Sequence, residues 1–114
     1  MTIFIPPNVF EPGISIAHSA STVVNDCAKV GKNCRIHEGV TIGATNGERK
    51  AAHIGDNCFI GSGAKVIGDI VICDNVAIGA GAVVVKSFKE SNITLGGVPA
   101  RIISRTGSKS NLIM

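Results

Sequence analysis

An apolar residue returns at every sixth position along this chain, and that spacing restricts the fold more than any other feature of it. The series runs Phe4, Phe10, Ile16, then Val24, Val30, Ile36, Ile42, then Ile54, Ile60, Val66, Ile72, Ile78 and Val84. It slips twice, by two residues between Ile16 and Val24 and by six between Ile42 and Ile54. A period of six matches neither the 3.6 of a helix nor the 2 of a strand meander. Self-similarity at a short fixed period marks a solenoid, here a parallel β-helix built from hexapeptides. Three hexads close one triangular coil, so Phe4 to about Phe88 makes about four coils. The rungs then sort into three columns. Phe4, Val24, Ile42, Val66 and Val84 share one side; Phe10, Val30, Ile54 and Ile72 the next; Ile16, Ile36, Ile60 and Ile78 the third. Gly follows several rungs, as at Gly31, Gly43, Gly55, Gly61 and Gly79, and is expected there to turn the corners.

Composition agrees with a narrow interior. The 114 residues form one domain, with 14 Gly, no Trp, no Tyr and four Phe. Stacking coils makes the apolar column continuous, which a small isolated globule does not achieve. The net charge of +3 is spread along the chain, and no Tyr or Trp offers a stacking platform, which argues against a nucleic-acid partner. The four cysteines lack the paired spacing of a zinc site. Cys34 and Cys58 stand where other coils carry Ala64, Val76 and Ala82, so they are expected as small, reduced core residues. Cys27 and Cys73 fall outside that register. The start, MTIFIPPNVF, lacks a basic region followed by a long apolar run, and no stretch is long enough to span a bilayer. The expectation is a cytoplasmic protein without membrane insertion.

The reading divides the chain into an entry segment (1–9), a β-helix (10–88) with an extruded loop at 44–53, a closing strand and turn (89–104), and a loose tail (105–114). Both slips interrupt the prism between the third column and the second. Insertions in solenoids gather on one face, often the working face. The first slip carries His18. The second carries the polar run Ala44-Thr45-Asn46-Gly47-Glu48-Arg49-Lys50-Ala51-Ala52-His53. Imidazole titrates near neutrality and suits removal of a proton from an attacking hydroxyl, which makes His18 the candidate general base. Glu38 has the same offset from its rung Ile36 as His18 has from Ile16, and can orient an imidazole one strand spacing away. His53 is a second candidate, either entering a cleft from the loop or simply preceding the next rung. His37 lies one residue off this register and is expected at a solvated edge.

Several motifs taken together resemble the serine O-acetyltransferases, members of the hexapeptide-repeat acyltransferases. These are Ile36-His37-Glu38-Gly39-Val40-Thr41-Ile42-Gly43, Ile54-Gly55-Asp56-Asn57, and Ile60-Gly61-Ser62-Gly63-Ala64-Lys65-Val66-Ile67-Gly68. Ile78-Gly79-Ala80-Gly81-Ala82-Val83-Val84 and Gly97-Val98-Pro99-Ala100-Arg101-Ile102 extend the likeness. The resemblance implies an all-β, left-handed parallel β-helix that assembles as a homotrimer, with active sites between subunits. It implies direct transfer of acetyl from acetyl-CoA to a small hydroxyl acceptor such as L-serine. His18 matches the family's first active-site histidine. The second would fall near Ala51, where this chain offers His53 two residues on, and the family's orienting Asp would fall near Ile3. The family's helical N-terminal domain has no counterpart here. In that respect the chain resembles the short acetyltransferases of surface-polysaccharide clusters, so a sugar hydroxyl is an alternative acceptor. An inactive scaffold or fragment is the alternative of another class. Thr45, Gly63 and Ala80 match positions beside the pantetheine arm, and Lys86 and Arg101 are placed to meet its phosphates. No metal is expected, since the spacing of the three histidines does not resemble the zinc pattern of trimeric β-helical carbonic anhydrases.

Overall fold

The computed structural model describes residues 22–44 and 50–108, together with the strand pairs Ile3–Phe4 and Ser15–Ile16. Among the described residues fourteen short strands follow one another: β1 (Ile3–Phe4), β2 (Ser15–Ile16), β3 (Thr22–Val24), β4 (Lys29–Val30), β5 (Arg35–Ile36), β6 (Thr41–Gly43) and β7 (His53–Ile54). They continue as β8 (Phe59–Ile60), β9 (Lys65–Ile67), β10 (Val71–Ile72), β11 (Ala77–Ile78), β12 (Val83–Val84), β13 (Thr94–Gly96) and β14 (Arg101–Ser104). From β2 to β12 every third strand joins the same sheet. The first sheet stacks β1-β3-β6-β9-β12, the second β4-β7-β10, and the third β2-β5-β8-β11-β13-β14. All pairings are parallel except β13 with β14. The sixfold count therefore translates directly into coils.

The columns match rung for rung in the described coils. Val24 pairs with Ile42, Ile42 with Val66 and Val66 with Val84; Val30 pairs with Ile54 and Ile54 with Ile72; Ile16 pairs with Ile36, Ile36 with Ile60 and Ile60 with Ile78. A second interior position lies two residues before each rung, as the period of a strand requires. Ala28, Ala52 and Ile70 fill it in the second sheet, Cys34, Cys58, Val76 and Ile93 in the third, and Val40, Ala64 and Ala82 in the first. All are buried, so each of these sides carries two apolar interior residues, the earlier one smaller than its rung except at Ile70 and Ile93. Cys34 and Cys58 are fully enclosed, as expected of small core residues.

Four features depart from the sequence-based reading. Phe4 pairs with Val23, not Val24, one residue away from the sixfold count. The ladder also runs past Val84: Phe88 bridges to Ile72, and Leu95 pairs with Ile78. Strands β13 and β14 then close the upper end as an antiparallel hairpin. Third, the glycines after the rungs do not turn the corners. Positive φ belongs to Asn33, Asn57, Asn75 and Asn92 before the third sheet, and to Gly39, Gly63 and Gly81 before the first. Gly31, Gly55 and Gly61 are small because the next coil leaves no room. A Cβ on Gly55 would stand 2.2 Å from Asp74 Oδ1 and 2.8 Å from the Asp74 backbone nitrogen. Finally, residues 105–108 are not loose. Ser108 is buried, its N–H donates to Asn75 O at 3.2 Å and its hydroxyl donates to Asn57 O.

Candidate active site

The corner between the third and first sheets gathers the polar side chains of interest. Because Ile16, Ile36, Ile60 and Ile78 are in register, residues 38, 62 and 80 occupy equivalent positions on successive coils, two past their rungs. Gly39, Gly63 and Gly81 follow them with φ of 73°, 72° and 71°, a left-handed conformation that glycine adopts without a side-chain penalty. The Gly63 N–H donates to Glu38 O and the Gly81 N–H to Ser62 O, both at 2.9 Å. Lys65 Nζ ties the same two turns together by donating to Gly39 O and Gly63 O, each at 3.2 Å. On this rigid step the Ser62 hydroxyl donates to Glu38 Oε1.

His18 and Thr45, two of the expected site residues, lie outside the described residues. Glu38 sits at the corner just described, half-buried. His37 is half-buried too, its ring edge-on to Phe59 with centroids 4.9 Å apart and an interplanar angle of 64°, so it is a packed residue and not a solvated edge. His53 occupies the first position of β7, immediately before the rung Ile54. Its backbone pairs with Lys29 below and Val71 above, which places it on the exposed face of the second sheet. There it lines a shallow groove of about 550 Å³ with Gly31, Gly55, Val71 and Asp74. His53 and Glu38 are thus on different sides of the prism.

The expected cofactor residues fall into two groups along the first sheet. Gly63 and Ala80 stand just before β9 and β12, while Lys86 follows β12. Lys86 and Arg101 share one cavity of about 520 Å³ with Val85, Gly97, Val98, Pro99 and Ala100. The turn from Gly97 to Ala100 builds its wall by continuing the first sheet: Val83 N–H donates to Gly97 O at 3.1 Å, and Ala100 N–H to Val83 O at 2.8 Å. Two cations lining one cavity have the chemistry to pair with an anionic group. The Lys86 ammonium also lies 5.4 Å from the Phe88 ring centroid, which limits where it can reach. Ser62 escaped sequence reasoning because a hydroxyl between two glycines reads as turn composition. Only the coil register shows that it faces Glu38. Among the described residues no group of three or more His, Cys, Asp or Glu side chains converges to hold a metal, and no helix is long and apolar enough to cross a membrane.

Known proteins share this arrangement of coils. The family model for bacterial transferase hexapeptides (six repeats) matches residues 51–86. A serine acetyltransferase of Synechococcus elongatus is 42% identical over 97 residues, covering 83% of this chain and 39% of the relative. The crystal structure of Brucella abortus serine acetyltransferase in complex with coenzyme A matches with a TM-score of 0.80 and 38% identity, over 87% of this chain and 41% of that one. Over about four-fifths of its length the chain is thus similar to serine acetyltransferases, and its residues 51–86 carry the bacterial transferase hexapeptide. Its coil is accordingly the left-handed parallel β-helix of the serine acetyltransferase type. A Staphylococcus xylosus serine acetyltransferase, 42% identical over 96 residues, covers 82% of this chain and 44% of the relative. This hexapeptide-repeat chain spans about two-fifths of the length of the curated relatives it matches.

Proposed function

We propose that this chain transfers acetyl from acetyl-CoA to a small hydroxyl acceptor of the serine kind. The observation that carries the reading is the 0.80 TM-score, at 38% identity, to a serine acetyltransferase in complex with coenzyme A. The shared cavity of Lys86 and Arg101 supports it from this chain's own residues. In this reading the two cations hold the phosphates of the donor. The pantetheine arm lies along the first sheet towards Ala80 and Gly63, where the absence of bulky side chains leaves the coil edge accessible. Thr45 joins it from the inserted segment.

The chemistry asks little of the protein beyond a base and positioning. His18 takes the proton of the acceptor hydroxyl as its oxygen attacks the thioester carbonyl carbon. A carbon–oxygen bond forms, the carbonyl electrons move onto oxygen, and their return expels the coenzyme A thiolate. The imidazolium then returns its proton to that sulfur. Glu38 orients the imidazole from the coil above. Backbone N–H groups of the coil edge stabilise the transient oxyanion. His53 enters only if a second chain brings its second sheet to this corner, which fits the homotrimer that the resemblance implies. No resident metal takes part.

The test is release of free thiol from acetyl-CoA in the presence of a panel of serine and sugar acceptors. His18→Ala should lower kcat about 10²–10⁴-fold. Turnover that survives this substitution overturns the mechanism. Absence of turnover with every acceptor favours a scaffold role instead.

A further inference from the structure

We propose that Ser62 is a positioning residue for acetyl transfer, acting by fixing the Glu38 carboxylate; the proposal rests on the reading of His18 as the base. The Glu38 backbone is held by the Gly63 N–H at 2.9 Å and by the left-handed Gly39 that follows it. Its side chain still has three rotatable bonds, and a carboxylate that swings across them cannot hold an imidazole in one orientation. The Ser62 hydroxyl restricts that freedom by donating to Oε1.

Two comparisons within the chain separate this from ordinary turn chemistry. A serine in a turn usually bonds to nearby backbone. Ser62 instead reaches one coil down, to a side chain 24 residues earlier. The next coil carries Ala80 at the equivalent position, with a glycine of nearly the same φ after it, so the corner folds without a hydroxyl. Below, Ile16 pairs with Ile36, so the strand that leads into the His18 segment is the layer beneath the strand that leads into Glu38.

The experiment measures thiol release by the full chain and its variants. Ser62→Ala should lower kcat about tenfold, the effect of one charge-assisted hydrogen bond, with KM for acetyl-CoA and the thermal midpoint unchanged. Ser62→Thr, which keeps the hydroxyl, should recover most of the rate. In a Glu38→Gln background, Ser62→Ala should add little, because its effect passes through the carboxylate. Wild-type kcat in Ser62→Ala, or an equal loss in both backgrounds, overturns the proposal while leaving the acetyltransferase reading intact. No thiol release by the wild type, or full activity in His18→Ala, overturns the underlying reading and this proposal with it.

Discussion

Thr22 stands two residues before the rung Val24, in the interior position that Val40, Ala64 and Ala82 fill on the coils above. It is fully buried and its hydroxyl has no hydrogen-bond partner among the described residues. An unsatisfied buried hydroxyl costs about 1–3 kcal/mol. Thr22→Val keeps the branched shape and removes that cost, so its denaturant midpoint should rise by the equivalent of about 1 kcal/mol. The buried thiols make a second residue-scale prediction. The adjoining Cys34 and burial push the Cys58 thiol far above its ordinary value of 9.0, while the same contact lowers Cys34, so the pair sheds one proton readily and holds the other. The folded chain therefore keeps a proton that the unfolded chain gives up. Stability from this source is complete below pH 9 and declines as the pH rises beyond it. Denaturation midpoints between pH 8 and pH 11 should show that decline, and Cys58→Val should flatten it. Cys58 was visible in the sequence as a small core residue of the ladder, whereas Thr22 was not singled out. The energetics of neither were visible, because a hydroxyl or thiol reveals its partner only when the coils above and below are in place.

Among the elements, the corners were the least legible. A glycine after a rung reads as a turn, yet Gly55 has no positive φ and is small because the next coil presses against it. Gly55→Ala should destabilise the chain by about 2 kcal/mol or more, since backbone must move. Gly43→Ala meets only an ordinary contact of 3.5 Å with Ile67 and should be nearly neutral. Comparing the two unfolding midpoints tests the distinction, and equal losses would contradict it. The turning work falls instead to Asn33, Asn57, Asn75 and Asn92, each with φ of 55–59°. Asn tolerates that region because its short amide bonds locally. Asn75→Gly should therefore be tolerated, whereas Asn75→Ala should cost about 1 kcal/mol. The sequence could have suggested this, because an Asn precedes Cys34, Cys58, Val76 and Ile93 in turn. The apolar ladder drew attention away from a polar ladder of the same period. A different physical reason hides the Glu38 and Ser62 pair. Their contact spans 24 residues, a separation set by the inserted segment and not by the hexad alone.

For the molecule as a whole, the coil order was legible and the ends were not. Phe88 and Leu95 continue their columns, yet their spacing breaks the count of six, since hydrogen bonding between coils tolerates corners of unequal length. The open faces carry the assembly prediction. Val23 and Val71 remain substantially exposed on the first and second sheets. A sedimentation measurement should return three times the 11.7 kDa of one chain. A monomer with full activity would contradict a site shared between subunits. The return of residues 105–108 along the asparagine corner has a different consequence, one of timing. Ser108 reaches back 51 positions to Asn57. A solenoid can settle coil by coil as the chain leaves the ribosome, each layer needing only the one before it. This fastening cannot. It joins the middle coil to a residue made after every strand of the helix, so a nascent chain carries its coils untied until the last of them has emerged.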